Sequence, residues 1–135
     1  MSEFAIFDTS VLIDQFRTNR HASRFGSLDL PVKNSSVVLA ELRRGAVDPK
    51  EARLVSEMER NHDLLAPTAN NWLDSGAILA KMRDDQGFEP HKLRDLHFDV
   101  LIALTARSHG ARLITSNRAD FELIRRYRNF KLEVW

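Results

Sequence analysis

Glu3-Phe4-Ala5-Ile6-Phe7-Asp8-Thr9-Ser10-Val11-Leu12-Ile13 is the stretch that decides the fold. Phe4 to Phe7 is a short apolar run that reads as a buried strand. Thr9 and Ser10 are helix N-cap residues, and Val11, Leu12, Ile13 and Phe16 carry the helix they open. An acid, Asp8, stands at the seam between the two. Strand-then-helix order recurs downstream. Pro31 to Ser36 reads as a second, weaker strand, and Val37 to Arg44 as a helix that stops at Gly45. Asp48-Pro49 opens a further helix with Ala52, Val55 and Met58 on one face. Leu64-Leu65-Ala66 is a very short strand before Pro67. Thr68 caps a long helix whose inner face is assigned to Ala69, Trp72, Leu73, Gly76, Ala77 and Ala80. Gln86 to Leu96, with Gly87 and Pro90, reads as a loop. Phe98 to Ser108 is a nearly all-apolar helix closed by Gly110, and Arg112 to Thr115 is a strand. Asn117 to Tyr127 is a helix, and Phe130 to Trp135 is the last strand. This alternation predicts an α/β fold, a single domain over residues 1–135 in which helices sandwich a parallel sheet. Ligand sites in such folds lie beyond the carboxyl ends of the strands.

Composition narrows the class. The chain has 135 residues, 43% hydrophobic and 29% charged, which excludes a collagenous or wholly disordered chain. It has no cysteine, which excludes a disulfide framework and Cys-ligated zinc, haem or iron–sulfur sites. No apolar run approaches the roughly 20 residues that cross a bilayer. The first residues lack the basic, apolar and cleavage regions of a signal peptide, so a cytoplasmic protein is expected. Net charge is +1, but the bases are uneven: Arg107, Arg112, Arg118, Arg125, Arg126, Arg128 and Lys131 face only Asp120 and Glu122 in that stretch. With Arg43 and Arg44, they leave room for a local phosphate-binding surface.

The informative residues are acids inside apolar sequence. Asp8 lies between Ile6-Phe7 and Val11-Leu12, Glu41 within Val37-Val38-Leu39-Ala40-Glu41-Leu42, and Asp99 within Phe98-Asp99-Val100-Leu101-Ile102. Burying one unpaired carboxylate costs several kcal/mol. Asp8 ends a strand, Glu41 and Asp99 lie on helices, and Asp120 follows the strand Leu113-Ile114-Thr115. Taken singly, Asp8 and Asp99 suit helix N-caps, Glu41 suits an ion pair with Arg44 or Lys50, and Asp120 suits a helix first turn. Together, four acids at the carboxyl edge of one sheet would repel one another unless a cation intervened. Hard oxygen donors select Mg²⁺ or Mn²⁺, which activate water and stabilise charge at a phosphoryl centre.

Other chemistries lack their motifs. His21, His62, His91, His97 and His109 show no metal-ligand spacing, although His97 stands two residues before Asp99. No nucleophile elbow, Walker loop or dinucleotide fingerprint occurs.

The four acid segments, in their order and spacing, resemble the PIN domain, and the length of the chain most resembles the VapC toxins of bacterial toxin–antitoxin modules. The segments that carry the resemblance are Asp8-Thr9-Ser10 after its strand, Glu41 in Val-Leu-Ala-Glu-Leu-Arg-Arg-Gly, Asp99 in Phe-Asp-Val-Leu-Ile-Ala, and Thr115-Ser116-Asn117-Arg118-Ala119-Asp120-Phe121. The resemblance implies a three-layer α/β/α sandwich on a parallel sheet of about five strands and a metal-dependent endoribonuclease. Asp8, Glu41 and Asp99 would match the core acids. The fourth position falls to Asn117 or Asp120, and Asp120 is favoured, with Thr9, Ser10, Thr115 and Asn117 in support. Arg43, Arg44, Arg112 and Arg118 are the expected RNA-binding residues. A homodimer is also implied, its candidate interface the helix of 47–61 and the one from Thr68, with Leu54, Ile78, Leu79 and Met82 outside one clean stripe. So is a cognate antitoxin that blocks the site. Two alternatives differ in kind. A haloacid-dehalogenase-like phosphohydrolase needs a second Asp two residues after the first, where Ser10 stands. A non-catalytic PIN-like scaffold has no need to keep all four oxygen donors.

Overall fold

The computed structural model describes residues 3–61 and 63–135; His62 lies outside the described residues. The first strand, β1 (Ala5–Phe7), is buried along its whole length, as its apolar run predicts. Its neighbour is β4 (Arg112–Thr115), and β5 (Lys131–Val134) lies beyond it. All three run parallel, in the register Ile6↔Leu113↔Leu132. A second parallel ladder pairs β2 (Asn34–Ser35) with β3 (Leu64–Leu65). The segment leading into β2 joins β1 through the parallel bridge Ala5↔Val32. There Ala5 N donates to Pro31 O at 2.9 Å and Lys33 N to Ala5 O at 3.0 Å. The five expected strands are present, in the order β3-β2-β1-β4-β5, as a three-stranded and a two-stranded ladder joined by that bridge.

Seven helices fill the connections among the described residues: α1 (Thr9–Thr18), α2 (Ala22–Ser27), α3 (Ser36–Gly45), α4 (Pro49–Asn61), α5 (Ala69–Gln86), α6 (Pro90–His109) and α7 (Arg118–Tyr127). α1 packs on β4 and α3, and α6 packs on β4, α3, α5 and α7, which gives the helix-sheet-helix layering. The core is β1 and β4 (Ile6, Leu113, Ile114) against Leu101, Ile102, Met82, Phe121 and Ile124. Each such side chain contributes about 1.5–3 kcal/mol by leaving water.

Three sequence expectations change. The loop expected over Gln86 to Leu96 shrinks to Gly87-Phe88-Glu89, because α6 begins at Pro90. Proline at the first helical position lacks only an N–H that would be unpaired there anyway. Gly87 takes the left-handed conformation (φ 68°) that closes α5. Asp99 therefore sits in mid-helix, and the N-cap reading of it falls away. The long helix α5 is turned over. It buries Asn71, Ser75, Ile78, Leu79 and Met82 and leaves Trp72 (50% exposed), Leu73 (75%), Gly76 and Ala77 outside. Two polar residues go inside because each finds partners: Asn71 Nδ2 donates to Ser108 Oγ at 3.0 Å, and Ser75 Oγ donates to Trp72 O at 2.7 Å. Ile78, Leu79 and Met82 thus belong to the core and not to a dimer interface. Lastly, the short helix α2 fills a stretch to which the sequence pattern assigns no element.

Candidate active site

β1 delivers Asp8 to the carboxyl edge of the sheet, where it is the N-cap of α1 and only 3% exposed. Its Oδ1 accepts Ser10 Oγ at 2.7 Å and Val11 N at 3.4 Å. The capping reading and the site reading of Asp8 hold together, because one carboxylate oxygen serves the cap. Burial still outweighs these bonds and pushes Asp8 up to about 6.

Ser10 also ties β1 to the end of β4. Its Oγ accepts Ser116 N at 3.1 Å and lies 3.5 Å from Thr115 Oγ1. Thr115 Oγ1 in turn accepts Asn117 N at 2.8 Å. Asn117 caps α7, accepting Asp120 N at 3.4 Å, and its Nδ2 donates to Asp120 Oδ2 at 3.0 Å. Asn117 is therefore the residue that orients Asp120. On α3, Glu41 Oε1 accepts Thr9 Oγ1 at 2.7 Å. Thr9 and Ser10, neighbours on α1, thus steer two different acids.

Asp99 lies at the electrostatic centre. It is pushed up to about 8, first by burial, then by the negative charges of Asp8, Glu41 and Asp120; Lys92 pulls the other way. Acids contributed by the β1–α1 junction, α3 and α7 therefore all act on the one contributed by α6. All donors are carboxylate oxygens, the set a hard divalent cation prefers. Among the described residues no three His, Cys, Asp or Glu side chains already stand close enough to hold an ion. Each of the outer acids is held back by its own partner: Ser10, Thr9, or Asn117 with Lys92. The set fits such an ion in the chemistry of its donors, and the charges of three of the acids converge on the fourth, Asp99.

The expected RNA-binding arginines divide. Arg44 is 3.9 Å from Glu41 Oε2 and lies over the Phe98 ring, at the rim of the acids. Arg118 opens α7 beside Asn117 and pairs with Glu122 at 3.0 Å. Arg43 is turned to α4, where it binds Ser56 Oγ at 2.9 Å and Glu59 at 3.1 Å. Arg112 stands at the opposite, amino end of β4, between Glu3 at 2.9 Å and Glu133 at 3.1 Å. The structure thus separates Arg43 and Arg112 from the acids. It also turns His97 toward α5, with Nε2 3.0 Å from Ser75 Oγ.

Sequence reading missed two residues. Lys92 Nζ lies 3.3 Å from Asp120 Oδ1. It precedes Asp99 by seven residues, two helical turns on the same face, a signal that the loop expected over 86–96 hides. The buried His21 lies 3.3 Å from Ser116 Oγ, behind the β4–α7 turn. No spacing rule points to it.

The family model described as PIN domain matches residues 5–127. No curated protein sequence matches the chain at a significant level. Among solved structures, the chain is similar to a chain of the DNA-bound VapBC of Salmonella typhimurium, with a TM-score of 0.71, 22% identity and 98% of each chain covered. It is likewise similar to a chain of VapBC-1 from nontypeable Haemophilus influenzae, with a TM-score of 0.69, 23% identity and 98% of each chain covered. A chain of VapBC2 from Rickettsia felis, bound to a promoter DNA fragment, matches with a TM-score of 0.69, 20% identity and the same coverage.

Proposed function

We propose, from the premise that this chain belongs to the PIN domain family, that it is a metal-dependent endoribonuclease acting as the toxin of a toxin–antitoxin pair. The observation that carries the reading is Asp99, held at about 8 by burial and by three carboxylates from other elements. A fold that gathers four acids at one sheet edge, against their mutual repulsion, has built a receptor for positive charge. Asp8, Asp99, Glu41 and Asp120 would hold Mg²⁺ or Mn²⁺. When bound, such an ion supplies Lewis acidity toward a phosphodiester and lowers the pKa of a water.

The chain's own residues do the rest. Ser10 and Thr9 fix the orientation of Asp8 and Glu41 by short hydrogen bonds. Asn117 does the same for Asp120. Asp99 gives up its proton when positive charge arrives. Arg44 and Arg118 draw the RNA backbone to the rim, so that affinity falls as salt rises. No side-chain nucleophile is needed, since the hydroxyls of Thr9 and Ser10 donate to carboxylates that hold them in structural roles.

Two partners follow. The solved relatives are VapBC complexes, and the acidic cleft suits an antitoxin segment bearing Arg or Lys, whose guanidinium binds several carboxylates at once. A homodimer would use the outward stripe of α5, where Trp72 and Leu73 are exposed and Gly76 has open space above it. Light scattering at tens of micromolar tests it: a dimeric parent, and a monomeric Leu73→Glu. No described helix is long and apolar enough to cross a membrane, and the proposed activity places the chain with its RNA in the cytoplasm.

The decisive experiment expresses the chain alone and with an antitoxin encoded beside it. Growth arrest with RNA cleavage, absent in Asp8→Asn and silenced in the complex, is the expected result. Harmless expression of a folded protein that binds Mn²⁺ would defeat the toxin role, and a folded protein that takes up no divalent ion would defeat the nuclease.

A further inference from the structure

Lys92 is a cation beside the acid cluster, and its position is specific. Its ammonium lies 3.3 Å from Asp120 Oδ1 and 5.8 Å from the centre of the Phe88 ring. It stands two turns before Asp99 on one face of α6, so a single rigid helix sets its distance from the central acid. The other cation near the cleft, Arg44, is 3.9 Å from Glu41 and 71% exposed, against 37% for Lys92. Asp8 and Glu41 are held by hydroxyls and a backbone N–H. Of the four acids, Asp120 alone is held by an ammonium together with a neutral amide.

An ammonium so placed does two things at once. It neutralises part of the acid cluster, and it competes with any divalent cation for the same oxygen. Phe88 backs it with an aromatic ring, which favours a cation there and limits its escape into solvent. Lysine is suited to the exchange because its point charge sits on a flexible four-carbon stem, so the head swings without moving the helix.

We propose that Lys92 is an exchangeable counter-ion of the catalytic cleft: it holds Asp120 while the acids are unloaded, yields that carboxylate to the divalent ion, and then binds a non-bridging phosphate oxygen of the RNA. The proposal rests on the reading of the site as a metal-dependent nuclease. It assigns Lys92 to Asp120 in the unloaded protein and to the substrate in the loaded one, and it makes the lysine a drag on metal binding and an aid to RNA binding.

The two effects have opposite signs, which separates them from a loss of structure. In Lys92→Met, Mn²⁺ measured by calorimetry binds roughly three- to tenfold tighter, since a unit of repulsion is gone. The KM for RNA in the same protein rises roughly tenfold, one charge-assisted contact being lost. Lys92→Arg, which keeps the charge, stays within about threefold of the parent in both. With chelator, the melting temperature of Lys92→Met falls below that of the parent, because Asp120 has lost its counter-ion, and saturating Mn²⁺ closes the gap. A Lys92→Met protein that binds Mn²⁺ no tighter than a metal-binding parent overturns the proposal and leaves the nuclease reading intact. So does an unchanged KM. A parent that takes up no Mn²⁺ overturns both.

Discussion

The two ends of the same sheet handle charge in opposite ways. At the amino end, Arg112 lies between Glu3 and Glu133 at 2.9 and 3.1 Å, and Lys131 Nζ donates to Gly110 O at 3.3 Å. Charge there is answered by charge or by a carbonyl, and side chains are more than a third exposed around the arginine. At the carboxyl end, Asp8, Glu41 and Asp120 bear on Asp99, and their own partners are hydroxyls, an amide, Lys92 and, at 3.9 Å from Glu41, the exposed Arg44. Asp8 and Asp99 are pushed up to about 6 and about 8. The first arrangement is what a fold does with charge it needs only for solubility and packing. The second raises the free energy of the unloaded protein, and that cost is offset only by something that arrives.

Substitution at the centre of the acid end should have the largest effect. Asp99→Asn keeps the shape of the side chain and removes the charge that three other carboxylates oppose. RNA cleavage is expected to fall at least about a hundredfold, with calorimetry showing weaker Mn²⁺ binding. In chelator at pH 8 the same variant should melt higher than the parent. Cleavage at the parental rate would remove Asp99 from the site and dissolve the contrast between the two ends.

Acidity gives the next largest effect. In the folded apo protein Asp8 and Asp99 hold their protons to about pH 6 and 8, whereas in the unfolded chain they lose them near 3.8. The folded state therefore binds more protons across that window, and stability falls as pH rises through it. Each group contributes a slope of up to about 1.4 kcal/mol per pH unit. Apo melting temperatures should decline from pH 4 to 8, the span from 6 to 8 resting on Asp99 alone. Asp99→Asn should flatten that upper span, and either Asp99→Asn or Asp8→Asn should roughly halve the slope of the lower one, where both groups contribute. Mn²⁺ should bind with proton release and lose affinity as pH drops below 8. A parent whose melting temperature rises steadily from pH 5 to 8 in chelator would contradict these assignments.

Why the acid end was legible in sequence, and the amino end was not, has a physical basis. A carboxylate within an apolar run is costly wherever it folds, so Asp8, Glu41 and Asp99 stand out without knowledge of the structure. Arg112 sits in a strand between ordinary residues, and nothing local says which edge of the sheet it reaches. Its neutralisers, Glu3 and Glu133, come from the two extremes of the chain. The strands were readable for the same reason as the acids, since a continuous apolar run such as Phe4 to Phe7 has few alternatives. α5 misled because its two faces differ little: Trp72 and Leu73 look like core, while Asn71 and Ser75 look like surface. Only tertiary partners, Ser108 for Asn71 and His97 for Ser75, make the polar stripe the inner one. Lys92 is illegible because Gly87 and Pro90 signal a loop, while Pro90 in fact opens the first two turns of α6.

A smaller effect belongs to the hydroxyls that replace charge at the acid end. Thr9 Oγ1 donates to Glu41 at 2.7 Å and is partly buried. Thr9→Val keeps the shape and removes the donor, leaving Glu41 free to turn toward Arg44. Mn²⁺ affinity is expected to drop roughly tenfold, the usual scale for a residue that orients a ligand. Thr9→Ser should restore it. If valine and serine behave alike, the hydroxyl does not orient Glu41, and Thr9 is only packing.

The smallest effect is expected at the amino end, and its smallness is the prediction. Arg112→Gln removes a guanidinium shared by two partly exposed carboxylates, pairs of a kind worth about 0–1 kcal/mol. Glu3 and Glu133 are each about a third exposed and turn to water when freed. The melting temperature should fall by only a few degrees, and by less in high salt, where such pairs are screened. RNA cleavage and its KM should stay within about twofold of the parent, because the residue sits at the amino end of β4 and the proposed RNA site is at the carboxyl end. Arg44→Gln, on the rim of the acids, should raise KM where Arg112→Gln does not. A tenfold rise in KM for Arg112→Gln would mean that RNA spans both ends of the sheet. The ion pairs at the amino end would then be a substrate-binding surface that opens in use, and the division between a structural end and a chemical end would fail.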